Sequence, residues 1–454
     1  MKASVFSLFT VLAFGVLAHA VSISPETPRI IDGCYQIGSA NELYGFAQIV
    51  TDSTEKKNGA YICGKLIADI TVNENVLKPN GNLIDNTERL VQWKPINGFS
   101  GIFDGNNKTI SGLYTQDSFE EYIGLFGYVD AYRQNDTTKI MNLGIVDSYF
   151  QGNSSQYTGA IVGWTGIISK LKISNCFNKG TIEGSMYTGG IIGASFSSIT
   201  IENCYNEGRI ISYAYNGSGV GGIIGMTAND TLYISNCANF SDIGTGGFIG
   251  GIAGYVLNVQ MKKCYNLGNL TSTQYSVGGL VNTIKATGNT PKVDNFSRIE
   301  QSYNSGNIDA HTVAGAIVAS IGPTELQVVN SFSDGDLSAW RVTDDSFIGE
   351  ASSSKVLIDN SFFTCRTLDS TTWLKFLPSD CEENSTCIVN NSFFLSNVSH
   401  SENSATSDEL ENGSVALKLH DYNENGVDGS VWGQSIGSDL HPSFAGTIEF
   451  NTTE

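Results

Sequence analysis

Five carboxylates, a row of tyrosines and one acidic turn are the residues of this chain that could act chemically on something else. Asp130, Asp147, Glu183, Glu202 and Glu207 are the acids nearest the repeated part of the sequence. Two carboxyls on neighbouring turns of a repeat could divide the acid and base roles of glycosidic cleavage. These five fall in turn contexts with no shared register, so solvated loop charges are the expected outcome. Tyr122, Tyr157, Tyr187, Tyr213, Tyr215 and Tyr275 precede a glycine-bracketed motif at similar offsets. If the repeats stack, Tyr157, Tyr187 and Tyr275 could line up as a binding stripe for sugar rings; a buried aromatic ladder at a corner is the competing outcome. Asp421-Tyr422-Asn423-Glu424-Asn425-Gly426 opens like a calcium loop, yet Trp432 stands at the twelfth position, where a bidentate acid is needed. A polar turn fits it better. The histidines, His19, His311, His400, His420 and His441, are scattered, and no His-Glu-x-x-His is present. No catalytic residue, metal site or cofactor is expected.

The elements that would position these side chains are repeats. Gly124-Leu125-Phe126-Gly127 recurs as Ala160-Ile161-Val162-Gly163, Gly190-Ile191-Ile192-Gly193, Gly222-Ile223-Ile224-Gly225 and Gly251-Ile252-Ala253-Gly254, with worn copies starting at Gly279 and Gly315. The starts lie 36, 30, 32, 29, 28 and 36 residues apart, a period that means stacked supersecondary units. A second block, Asn175-Cys176-Phe177-Asn178, returns at Asn203-Cys204-Tyr205-Asn206, Asn236-Cys237-Ala238-Asn239, Lys263-Cys264-Tyr265-Asn266 and Gln301-Ser302-Tyr303-Asn304, with echoes at Asn330, Asn360 and Asn391. Each unit reads as two short strands joined by Asn and Gly turns. Such a pair cannot bury its own apolar face, but stacking aligns Ile on Ile and Cys or Ser on Cys or Ser. The fold class is therefore all-β, a parallel β-helix or β-solenoid.

The Gly-[Leu/Ile]-x-Gly copies resemble the GLUG-motif repeat proteins. So do the run from Trp93 to Tyr114, the Asn-Cys-Tyr-Asn blocks, and the ending from Val431 to Pro442. The resemblance implies a right-handed β-helix, placement at the cell surface or outside the cell, and a role in adhesion. It supplies no catalytic residue.

Both ends carry signals of their own. Lys2 precedes an apolar run from Val5 to Leu17, then Ala18-His19-Ala20, the pattern of a secretory signal peptide over residues 1–20 with Val21 first in the mature chain. No second run of spanning length follows, so no membrane span is expected. Ser39-Ala40-Asn41-Glu42 has the form of a capping box ahead of Leu43, Phe46, Ala47 and Val50, which predicts a helix over the first coil. Thr406-Ser407-Asp408-Glu409 precedes Leu410, Val415, Leu417 and Leu419 and predicts a matching device at the far end, interrupted by Gly413. The expected organisation is 1–20 leader, 21–117 capping region and first irregular coils, 118–400 solenoid repeats, and 401–454 C-terminal cap.

Cys176, Cys204, Cys237 and Cys264 share one repeat position, taken over by Ser302, Ser331, Ser361 and Ser392. They are expected as free thiols in a core ladder, acting as small hydrophobes. In an exported chain Cys34 and Cys63 can pair, and Cys387 can pair with Cys381 or Cys365, leaving one odd thiol. A net charge of -20 from 45 acids and 25 bases, with no basic cluster, excludes nucleic acid and anionic lipid as expected partners. Sequons stand at Asn107, Asn135, Asn153, Asn216, Asn229, Asn239, Asn269, Asn295, Asn384, Asn390, Asn397, Asn412 and Asn451, so a eukaryotic host would make a glycoprotein. The expected function is that of a secreted or surface non-catalytic repeat protein that binds an extracellular glycan or cell-wall polymer. A polysaccharide lyase or hydrolase on the same fold, and a purely structural protein, are the alternatives.

Overall fold

Each repeat contains a five-residue stretch of apolar and polar alternation, and that stretch builds the largest face of the molecule. In Lys170–Ser174, Ser198–Glu202 and Thr231–Ser235 the second and fourth residues are buried while the others reach outward. A period of two is what a strand with one dry face demands. Successive copies pair in parallel and in register: Leu171 on Ile199 and then Leu232, Ile173 on Ile201 and then Ile234. The computed structural model describes residues 23–55, 61–116, 120–130, 137–152, 157–166, 170–213, 218–228, 231–285, 296–340, 346–364, 375–377, 381, 385–395, 403–444 and 448–449. It is a parallel β-solenoid of about ten turns.

The coils have three faces, formed by sheets of 23, 15 and 8 strands. One coil contributes Lys170–Ser174 and Phe177–Asn178 to the first, Thr181–Gly184 to the smallest, and Thr188–Gly189 with Ile192–Ser195 to the third. The repeat thus holds five short strands where the motifs suggested two. The alternating stretch escapes motif reading because its apolar residues vary freely among Leu, Ile, Val and Met. The Ile files are as expected: Val162, Ile192, Ile224, Ala253 and Val281 stack in register, all fully buried. One apolar core runs from Ile37 to Phe376. The parallel ladder of the largest face starts early, passing from Cys34–Ile37 to Ile62–Leu66, Gly101–Ser111 and Thr137–Val146.

The glycines of the first motif mark a pinch. Residues 160–161 bend the chain, so the two strands on either side of them lie in one sheet. A Cβ on Gly193 would stand 2.6 Å from the Thr158 nitrogen of the preceding coil, and one on Gly225 2.6 Å from that of Thr188. Backbone meets backbone in those two coils, which favours glycine; further on the position passes to Asn282 and Ala319.

The second motif makes a corner. Asn175, Asn203 and Asn236 take φ of 54°, 55° and 52°, with Lys263 and Gln301 at 54° and 49° in the same place. Asn is the side chain best suited to this left-handed conformation. The next residue turns its Sγ or Oγ back onto the carbonyl two residues earlier: Cys204 to Glu202 O at 3.3 Å, Ser302 to Glu300 O at 2.8 Å. Ser302 Oγ also accepts from Cys264 N, 3.1 Å away in the coil before. Ser can take over from Cys at this position because both are small donors, so the expected description of the thiols as hydrophobes is incomplete. Burial pushes the Cys176 and Cys237 thiols well above their usual range. Two residues on, Asn178, Asn206, Asn239, Asn266 and Asn304 form a buried amide row, each Nδ2 donating to the next Oδ1 at 2.8–2.9 Å. Each also holds a carbonyl of its own turn, as Asn206 holds Gly208 O at 2.8 Å. A fully bonded buried amide is tolerated; a broken one costs about 1–3 kcal/mol.

The two ends are closed differently. Helix α1, Ala40–Glu55, begins where predicted, with one arm of the box displaced: Ser39 Oγ accepts from Glu42 N, but the Glu42 carboxylate accepts from Gly38 N at 2.7 Å, one residue before the cap. It lays Leu43, Phe46 and Val50 on the first coil, with Phe46 against Phe99 and Phe103. At the other end Thr406 caps α2, Ser407–Glu411, through a full capping box, and Gly413 at φ 85° separates it from α3, Ser414–His420. Leu410, Val415 and Leu419 are buried, but Leu417 is 43% exposed, against expectation. Residues 403–444 then do more than plug the open coil. They run back along the flank as a strap, over the corner made by Asn330, Asn360 and Asn391.

Candidate functional site

The proposed stripe tyrosines lie on the glycine face, where the pinch brings two strands of each coil side by side. Tyr122, Tyr157 and Tyr187 precede the pinch in consecutive coils and stack with centroids 5.7 Å apart at 28° and 21°. All three are half-buried, and burial raises their hydroxyls, Tyr122 to about 12. They stay protonated, able to donate and to accept. Tyr275 does not join them. The next two positions of that file are Gly219 and Phe248, and Tyr275 falls one residue out of register, tilted against Phe248 at 4.8 Å. Tyr213 is exposed beyond the strand Ile210–Ser212, and Tyr215 lies outside the described residues.

A second pair of rings completes the group. Tyr128 and Trp164 follow the second glycine of the motif in consecutive coils, and that placement was the signal to read; Ala194 and Met226 hold the position in the next two coils before Tyr255. Trp164 stacks on Tyr122 at 5.0 Å and 18°, and Phe196 lies beside Trp164 and Tyr157 at 5.9 and 6.4 Å. The rings from both sides of the pinch meet in a single aromatic surface over three coils.

The candidate acids are engaged elsewhere. Asp147 accepts from Val76 N and Leu77 N at 3.1 and 2.8 Å, pinning the loop that crosses the smallest face. Glu202 pairs with Lys172 and Glu207 with Lys179, both at 2.7 Å. Glu183 lies against the Tyr149 hydroxyl, which burial pushes up, and at Asp130 it is the main chain that is held, its N–H donating to Phe99 O at 3.2 Å. A groove of ≈ 890 Å³ lies between the loop 75–81 and the smallest face, with Lys78, Lys179 and Arg209 facing Asp147, Glu207 and Asp242. Asp242 accepts from Asn269 N at 2.7 Å, and Arg209 donates to Asn82 Oδ1. The groove therefore holds paired charges and bonded carboxylates, not the two cooperating carboxyls of a glycosidase. The suspected calcium turn sits in the strap, where Asn425 and Gly426 take φ of 52° and 75°. Trp432, at its twelfth position, is completely buried.

Cys34 is bonded to Cys63, its stacked neighbour one coil on, and Cys387 takes Cys381. Cys365 lies outside the described residues, and Cys176, Cys204, Cys237 and Cys264 are free and buried. Among the sequons Asn107, Asn269 and Asn412 are exposed and Asn390 is partly exposed. Asn239 is a correction: it is a fully buried rung of the amide row, so a glycan there is incompatible with the fold. Asn135, Asn153, Asn216, Asn229, Asn295, Asn384, Asn397 and Asn451 lie outside the described residues, as does the leader, 1–20. Among the described residues no helix is long and apolar enough to cross a membrane.

No family model matches the chain, and no solved structure does. The glycine motif thus carries the architecture and assigns no family. One curated protein is similar: Halomucin of Haloquadratum walsbyi, 28% identical over 181 residues, or 38% of this chain. The chain covers only 2% of that protein's length, so this is a distant, partial likeness between a β-solenoid and one segment of a very long protein.

Proposed function

We propose that the chain is an extracellular, non-catalytic repeat protein that binds a linear glycan or cell-wall polymer along its glycine face. The observation that carries this reading is the recurrence of one half-buried tyrosine in three successive coils, Tyr122, Tyr157 and Tyr187, at 5.7 Å intervals. A side chain repeated at strand spacing offers a repeating polymer the same contact several times, and linked weak contacts reinforce one another. The neutral hydroxyls can donate to and accept from sugar hydroxyls, with Trp164 adding apolar surface beside them. The engagement of Asp147, Glu202 and Glu207 in structural bonds favours binding over turnover. The two disulfides and the likeness to Halomucin support an extracellular location.

The test is retention on a panel of insoluble polysaccharides, with release of reducing or unsaturated ends assayed in parallel. The double variant Tyr157→Ala and Tyr187→Ala is expected to abolish retention, and Tyr275→Ala to leave most of it. Unchanged retention in the double variant rejects the reading. Product release turns it toward a lyase or hydrolase.

A further inference from the structure

The corner that precedes the amide row carries an aromatic file on its outer side, and the strap covers only part of it. Tyr265, Tyr303, Phe332 and Phe362 stack at 5.0, 4.6 and 5.1 Å, all within 7° of parallel. Over Phe332 and Phe362 the strap seats Trp432, tilted at 6.1 and 5.3 Å, and Phe444 meets Phe332 edge-on at 5.3 Å. The corner asparagines fix its backbone. Asn330 Nδ2 donates to Asp428 O at 3.0 Å, Asn360 Nδ2 to Leu419 O at 2.9 Å, and Asn391 Nδ2 to Lys418 O at 3.0 Å. Asn330 Oδ1 accepts from the Trp432 indole at 3.2 Å. Docking on this corner thus has a rule: main-chain carbonyls on the corner amides, an N–H on the corner acceptor, an aromatic side chain against the ring edges.

One coil earlier, among the described residues, the strap supplies a single ring, Phe444, edge-on to Tyr303 at 6.1 Å. A groove of ≈ 630 Å³ opens where the strap ends, bounded by Tyr265, Tyr303, Lys263, Gln301 and the strap's own Val431 and Phe444. Gln301 occupies the corner position of Asn330, with the same left-handed backbone. Its Oε1 is buried and, among the described residues, has no hydrogen-bond partner, whereas Asn330 Oδ1 accepts both from Asn360 Nδ2 at 2.7 Å and from the indole. An acceptor so buried calls for a donor.

We propose that this groove docks an extended polypeptide segment of a partner, bearing an indole or comparable N–H donor, along the line on which the strap already lies. The segment places that donor on Gln301 Oε1 and its aromatic ring against Tyr265 and Tyr303. Continuity with the strap interface argues for a peptide, and so does ring geometry. The stacked rings cover one another's faces and turn their electropositive edges outward, which attract the π-face of another aromatic or a carbonyl oxygen. This surface differs from the glycine face, so the two readings stand or fall separately.

The probe is a synthetic peptide of residues 427–444 of this chain, titrated into the full protein and followed by calorimetry. Saturable binding that weakens at least tenfold in Gln301→Ala and in Tyr265→Ala is expected, with no competition from soluble oligosaccharides. Gln301→Ala changes a corner side chain and leaves the ring file whole, so its result stands if Tyr265→Ala misfolds. Absence of binding, or affinity unchanged in Gln301→Ala because the peptide merely exchanges with the chain's own strap, overturns the proposal. Competition by oligosaccharides overturns it in favour of a sugar site.

Discussion

The coils of Phe332 and Phe362 and the coils of Phe177 and Tyr205 are built alike and finished differently. In both pairs a left-handed Asn precedes a small donor and an outward ring, and the rings stack within 6° of parallel. In the later pair the strap buries that surface almost completely, Phe362 to 0% and Phe332 to 6% exposure. In the earlier pair it stays open, and where Ala238 interrupts the file Phe240 fills the gap edge-on between Tyr205 and Tyr265. The difference separates two sources of stability. The inner core and ladder suffice to form a coil, while the strap adds a second apolar cluster outside the last coils. A coil's outer surface is thus free to serve another purpose.

Removing Trp432 should break the comparison most strongly. Trp432→Ala deletes the strap's largest buried side chain and the donor to Asn330, with an expected loss of about 3–5 kcal/mol. Limited proteolysis followed by mass spectrometry should show cuts concentrated after residue 330 while the middle coils stay protected. Uniform cleavage along the chain would mean that the coils do not stand without the strap. Gly225→Ala probes the coils that the strap does not reach. Its Cβ would press on the backbone of Thr188 and Gly193, at an expected cost of about 1–3 kcal/mol. Here chemical denaturation should show the loss, and strap proteolysis should be unchanged.

The smallest effect is that of pH on the strap tip. His441 lies between the Pro442 carbonyl at 2.8 Å and the Asp334 carboxylate at 3.1 Å, both acceptors, so the imidazolium with two N–H groups suits the site. Burial alone would lower its pKa, but these bonds outweigh it and hold the group above its ordinary 6.5. A raised folded-state pKa means that the contribution is complete below about pH 6.5 and is lost as pH rises through the higher value. The loss is about 1 kcal/mol or less, the scale of a partly exposed pair. It should register as faster strap proteolysis above neutrality in the native chain and as no pH dependence in His441→Gln.

The repeat was legible where backbone geometry dictates the residue. Gly193 and Gly225 are required by close approach, Asn175 and Asn203 by a left-handed corner, and Asn206 by the amide row, so these positions recur as letters. The helix α1 was legible because Ser39 and Glu42 cap it through side chains that few other residues replace. The alternating strands were not, since any apolar residue satisfies an inward position; Leu171, Ile199 and Val259 do the same work. Tyr275 misled because an offset from a glycine motif fixes a file only when no residue is inserted between. The strap's path was hidden by distance, with Trp432 bonded to a residue 102 positions away. An indole in an otherwise polar turn was the clue that this segment lies against something.

The buried amides of Asn178 to Asn304 all donate in one sense along the axis, each Nδ2 toward the C-terminal neighbour, and the last, Asn304, donates to Ser333 Oγ. Such a chain has a direction and a fixed stride. A deletion that joins like to like, such as the 28 residues separating Asn178 from Asn206, leaves every remaining donor facing an acceptor, whereas one that removes a rung and keeps the rest of its coil strands a donor. Growth and shrinkage of this molecule are therefore quantised in whole coils, and its length can drift over generations without its cross-section changing.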